Sequence, residues 1–111
     1  MTFSVMKTPS TSCTSMDEVR EEIDRLDRSL VALLAQRQGY IEAAARIKNA
    51  KSTVRLQWRI EEVVAKVLET AEVEGLSKRI AEPVWRQLIE CCIAHEHDHW
   101  DLHHAETSEK I

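Results

Sequence analysis

SMDEVREEIDRLDRSLVALLAQRQGYIEAAARIKNAK, residues 15–51, decides the fold. Apolar side chains recur along it at alternating steps of three and four: Val19, Ile23, Leu26, Leu30, Leu33, then Tyr40, Ala44 and Ile47. That rhythm is the heptad-like seam of a long amphipathic helix. The stretch holds no proline and a single glycine, Gly39. Ser15 with Glu18 three residues on is a capping-box start. At about 1.5 Å per residue the helix would run roughly 50 Å. The rest of the chain is too short to cover such a rod, so a second copy is expected to cover it.

The seam has one gap. Where an apolar residue is due between Leu33 and Tyr40, the chain places Arg37. A charge facing a core costs several kcal/mol, on the order of 3–5, unless it is paired. Lys48 follows eleven residues later, about three turns on, and projects from nearly the same face. Two inward cations with no adjacent carboxylate suggest an absent anion. Pairing with an acid on another helix, or snorkelling of Arg37 to the edge of the core, would also satisfy the pattern.

Composition narrows the class. A chain of 111 residues forms one domain, expected over residues 15–104 with flexible tails at 1–14 and 105–111. Two glycines and two prolines leave little material for turns and favour few, long elements. A net charge of -4 disfavours nucleic acid as a partner. No apolar run approaches the ~20 residues of a membrane span. Cys13, Cys91 and Cys92 make an odd count, and neighbours on one helix do not pair readily. Reduced thiols and a cytoplasmic location are therefore expected. The opening residues lack an apolar signal core.

After the first helix, Ser52 and Thr53 offer N-cap oxygens for a second, expected from about Arg55 to Glu74. Its apolar face carries Leu56, Ile60, Val63, Val64, Val67, Leu68 and Ala71. Gly75 is a natural helix stop, with Leu76 packing back. Arg59 stands early in this helix beside the apolar face. Ser77 can cap a third helix through Ile80, Val84, Trp85, Leu88, Ile89, Cys92, Ile93 and on to Trp100, with Pro83 near its start. Glu96 follows Cys92 by one turn on the same stripe. Its carboxyl is expected either desolvated or paired with Arg37, Lys48 or Arg59. All five histidines fall in HEHDHWDLHH, residues 95–104. His95 with His99, and His99 with His103, have a spacing that can hold a metal. A His-rich last turn fading into a solvated tail is the simpler account, and no metal is expected.

With these residues in hand, the chain resembles the all-helical chorismate mutase family. The first-helix pattern appears as Arg20, Ile23-Asp24-Arg25-Leu26-Asp27, Leu33-Leu34-Ala35-Gln36-Arg37 and Lys48. It continues through Arg59, Gly75-Leu76 and the V-W-R-x-L-I-E stretch at 84–90, covering about residues 17–100. The resemblance implies an all-α, three-helix protomer with a long first helix, intertwined as a homodimer with two equivalent sites. It implies the Claisen rearrangement of chorismate to prephenate, without a cofactor. By resemblance, Arg37 and Arg59 would hold the substrate's two carboxylates, and Arg20 would come from the other subunit. Lys48 would contact a carboxylate and the ether oxygen of the breaking bond. Glu96 stands where many relatives carry glutamine aimed at that oxygen. Leu56 and Cys92 stand at positions that often bind substrate. Spacing supports the trans arginine separately: Arg20 and Arg37 are seventeen residues apart, roughly 25 Å along one helix, too far for one small ligand. Antiparallel pairing of two first helices would bring them together.

These residue types suit such a reaction. It needs no nucleophile, redox group or obligatory proton transfer. It gains from holding the reactive conformer and from stabilising charge on the ether oxygen. Charge-assisted hydrogen bonds contribute roughly 1.5–3 kcal/mol each, and a millionfold acceleration asks for about 8 kcal/mol. A few contacts that tighten in the transition state are the right scale. A protonated Glu96 could donate to the ether oxygen, whereas an ionised one would repel it. Turnover is therefore expected to fall with rising pH, and Glu96→Gln to flatten the profile. Two departures open an alternative. Many mutases carry a glutamate directly after the second-helix arginine, where this chain has Ile60. Isochorismate-pyruvate lyases share the fold, are apolar there, and begin much like Met6-Lys7-Thr8-Pro9 with Cys13. The mutase reaction is expected first, the lyase second. A dimeric helical anion-binding module without turnover is the reading from another class, with a His-tail metal sensor as its regulatory variant.

Overall fold

A computed structural model of the chain describes residues 7–109, with side chains to Ala105. It is all-α: three helices, α1 (Met16–Ile47), α2 (Gln57–Glu74) and α3 (Lys78–Glu109), plus two short 3-10 turns, and no strand among the described residues. By internal contacts the chain forms two units, 1–39 and 40–111, and α1 supplies helix to both.

In the first unit, the start of α1 is fixed as its sequence foretold. The Ser15 hydroxyl accepts the Glu18 N–H at 3.2 Å, and Glu18 in turn accepts the Thr14 N–H and hydroxyl, both at 3.0 Å. The first of these bonds satisfies a donor that a helix start leaves without an internal partner. Part of the expected N-terminal tail is folded here. Ser10–Ser12 form a 3-10 turn, and the N–H groups of Lys7 and Thr8 both donate to Glu22 Oε2 at 3.3 Å. Glu22 also accepts from Arg25 Nε at 2.9 Å, and both side chains are almost covered. Residues 1–6 and 110–111 of the expected tails lie outside the described residues.

The apolar seam of α1 is largely uncovered. In the first unit Ile23, Leu26 and Leu30 are 48–53% exposed, and Leu33 is half-buried. In the second, Tyr40 and Ile47 are more exposed still.

The core sits in the second unit, between α2 and α3. Val54, Ile60, Val64, Ile89 and Ile93 are buried together, with Val63, Leu68, Trp85 and Trp100 packed against them. Ile60, Val64 and Ala71 recur at helical spacing on α2, so one face of the helix enters the core. Burial of Ile60 and Val64 contributes about 1.5–3 kcal/mol each. Ile80 and Val84, expected on the buried stripe of α3, are instead exposed.

The helix ends correct one expectation and match two. Ser52 and Thr53 do not cap α2. They lie in the 3-10 turn Lys51–Thr53, where the Thr53 hydroxyl donates to the Ala50 carbonyl at 2.6 Å. Leu56 occupies the N-cap of α2 with no side-chain bond, so the helix starts two residues later than expected. At its other end Gly75 adopts φ +75, and the Leu76 N–H reaches the Ala71 carbonyl at 2.8 Å. This is a Schellman stop. Ser77 caps α3 by accepting the Arg79 N–H at 3.2 Å. Pro83 is accommodated inside α3, which runs on to Glu109, beyond the Trp100 to which it was expected to reach.

Candidate active site

The site in the second unit is built where α1 ends. The Lys48 N–H still bonds the Ala44 carbonyl at 2.9 Å, so the helix geometry carries one residue past Ile47. The Lys48 carbonyl then accepts the Trp100 indole N–H at 3.1 Å. Trp100 lies one turn beyond Glu96, and Ile89, Ile93, Glu96 and Trp100 follow at steps of four, three and four. The stripe that seats α3 in the core therefore aims Glu96 inward as well. The outcome is a direct ion pair, with Lys48 Nζ donating to Glu96 Oε2 at 2.7 Å. Only 6% of the Glu96 side chain is exposed, against 26% for Lys48. Lys48 is the more exposed member of the pair, and its ammonium carries donors beyond the one given to Glu96.

Of the residues singled out from sequence, the structure brings together Lys48 and Glu96. Arg59 lies in the first turn of α2 and its guanidinium bonds Glu62 one turn on, at 2.6 Å, with half of its side chain exposed. Leu56 is half-buried at the start of the same helix, and Cys92 is half-buried on α3. Ile60 is a core residue, 8% exposed. It also borders a cavity of about 230 Å³ walled by Arg55, Arg86 and Glu90 among others. The cations there are engaged: Arg55 pairs with Glu90, and Arg86 grips both oxygens of Glu61 at 3.0 and 3.1 Å. Those contacts hold the Glu61 and Glu90 carboxyls below the usual carboxylate range. Arg20 and Arg37 belong to the first unit. Arg20 is exposed, 4.0 Å from Asp17, and Arg37 is half-buried.

Sequence reading passed over Glu42 and the role of Trp100. Glu42 Oε2 lies 2.7 Å from His95 Nε2 and 3.6 Å from His99 Nε2. The i, i+4 histidine pair was a visible signal for half of this cluster. Nothing in the sequence singled out the glutamate that faces it from α1.

An all-helical chain that sets a lysine at the end of its first helix against a carboxyl of its third has the architecture expected of the helical mutases. Residues 19–97 match the family chorismate mutase type II, and the chain belongs to that family. It is also similar to an isochorismate pyruvate lyase of Pseudomonas aeruginosa. The two are 33% identical over 95 residues, which span 86% of this chain and 93% of the relative.

Proposed function

We propose that this chain is a pericyclic enzyme acting on a ring dicarboxylate that carries an enolpyruvyl ether, and that its main reaction is the cleavage of isochorismate to salicylate and pyruvate. The family and the Lys48–Glu96 pair support the class of chemistry. One observation carries the choice of reaction: Ile60, the position after Arg59, is an aliphatic core residue. It offers no polar group to a substrate ring hydroxyl, as a mutase glutamate would. The similarity to a lyase along nearly its whole length points the same way. Rearrangement of chorismate to prephenate is the second reading, favoured by Glu96, which replaces the glutamine usual in the lyases.

Both reactions break the same ether C–O bond, and the ether oxygen becomes the ketone oxygen of the pyruvyl group. In the rearrangement the enolpyruvyl methylene bonds to the ring. In the cleavage it gains a ring hydrogen, becoming the methyl of pyruvate as the ring turns aromatic. Charge gathers on the ether oxygen in either case. Lys48 would share its remaining donors with that oxygen and a carboxylate. Glu96 would hold the ammonium in place from a covered position, where such interactions are strongest. Arg59 would exchange Glu62 for a substrate carboxylate, and Arg37 would take the other. Leu56 and Cys92 would line the ring.

The enzyme would act as a cytoplasmic homodimer. Leu26, Leu30 and Leu34 leave an apolar stripe exposed on α1, which a second α1 would cover in antiparallel fashion. That pairing would deliver Arg20 in trans. The test is turnover of purified protein on isochorismate and on chorismate, followed by product. Salicylate with pyruvate as the faster outcome supports the lyase, and faster prephenate formation transfers the assignment to the mutase. Silence on both substrates, with dicarboxylate binding that Arg37→Ala abolishes, identifies a binding module.

A further inference from the structure

We infer a second site on this chain: a three-ligand centre for a divalent transition metal, Zn2+ by its chemistry, formed by Glu42, His95 and His99. The ligand-capable atoms of all three lie within 4.8 Å of one another. They come from two elements, Glu42 from α1 and the histidines from successive turns of α3, whose rings stand 4.5 Å apart and are inclined at 49°. Two imidazoles and one carboxylate are a zinc donor set, and three protein ligands leave a fourth position for water.

The distances are close to those an ion needs. At a Zn–ligand length of about 2.05 Å, tetrahedral ligand atoms lie about 3.3 Å from each other. Glu42 Oε2 to His99 Nε2 is 3.6 Å and must close by only a few tenths of an ångström. Glu42 Oε2 to His95 Nε2 is 2.7 Å, a hydrogen bond, and must open by a little more. The two histidine nitrogens lie within 4.8 Å of each other, and turning one carboxylate and two rings about their side-chain bonds is the movement an ion calls for. Binding needs each histidine neutral with its proton on Nδ1, leaving Nε2 to the ion. The three side chains are 34–40% exposed, so an ion can enter from solvent. The site is separate from the Lys48–Glu96 pair but joins the same two elements. An ion there would pin the second-unit part of α1 to α3. Its existence does not depend on which reaction the enzyme performs.

The experiment is titration of tag-free, metal-stripped full-length protein with ZnCl2 by calorimetry and with CoCl2 by visible spectroscopy. One ion per chain is expected, with the intense visible bands of four-coordinate Co2+ and a rise in melting temperature. His99→Ala and Glu42→Gln should each weaken binding by about 100-fold or more, because even outer-shell losses cost about 10–100-fold. His103→Ala/His104→Ala, which alters two of the three other histidines of α3, should bind as wild type does. Circular dichroism confirms that each variant is folded; Glu42→Gln keeps shape and is the variant relied on if His99→Ala unfolds. Absence of binding overturns the site. So does binding that survives Glu42→Gln, or that is lost in His103→Ala/His104→Ala, since the ion would then be held by the helix end alone.

Discussion

Removing the lysine of the site should harm the fold more than neutralising its acid. In Lys48→Met the Glu96 carboxyl, with 6% of its surface exposed, loses its counter-cation. Breaking a fully buried pair costs about 3–5 kcal/mol. Lys48 is 26% exposed, so water already reaches part of this pair, and the expected cost falls to about 2–3 kcal/mol. Glu96→Gln keeps the shape and an acceptor oxygen for the ammonium, which can turn toward solvent. It trades a charge-assisted bond for an ordinary one, a loss of about 1 kcal/mol. Lys48→Met/Glu96→Leu removes both charges and should recover most of the loss, because apolar replacement of a buried pair is often neutral. Urea unfolding of the four proteins at one fixed concentration measures this, since self-association would tie stability to concentration. In melting temperature the lysine variant should drop by about 8–12 °C, at about 4 °C per kcal/mol. If Glu96→Gln proves the more damaging single change, or the double variant is no better than Lys48→Met, then Glu96 is not held by Lys48 and the site is wrongly assembled.

Three further outcomes are expected. Ile89→Ala empties part of the α2–α3 core around a side chain only 6% exposed and should cost about 2–5 kcal/mol by urea unfolding. Gly75→Ala should cost about 1–2 kcal/mol through backbone strain alone, because φ is +75 and an added Cβ meets nothing within 4 Å; a neutral result by thermal melting would show that the helix stop relaxes. Arg86 beside Glu61 and Arg55 beside Glu90 depress both carboxyls below an ordinary value of 4.5. A depressed folded-state value means stability that is present above that pH and lost as the solution is acidified through the lower folded value. Acid unfolding of Arg86→Met should therefore show a shallower loss of stability below about pH 4.3 than wild type shows.

Helix content and order were legible because α1 and α3 obey the three-four rhythm over many turns, and because Ser15, Gly75 and Ser77 punctuate it with unambiguous chemistry. The start of α2 was not. Ser52 and Thr53 look like caps, but the 3-10 turn at Lys51–Thr53 uses the Thr53 hydroxyl locally and leaves Leu56 to open the helix. Periodicity also marked Ile80 and Val84 as buried. It identifies an apolar face without saying whether the same chain covers it, and here it does not. In the site, Glu96 was readable as a carboxyl on an apolar stripe, with Lys48 among its candidate partners. Glu42 was not readable, because a glutamate on a helix is ordinary until the fold sets two imidazoles against it. The partner of Arg59 was missed for a related reason: Glu62 lies one turn away, and local pairing wins when no ligand competes.

The indole of Trp100 grips a main-chain oxygen fifty-two positions earlier in the chain. Fraying at the exit of the first helix is thereby coupled to detachment of the third. Amide exchange at Lys48 should slow to the pace set by that detachment, and Trp100→Phe, which keeps the ring and deletes the donor, should release it. A single nitrogen would then set how often the lysine loses its bearing.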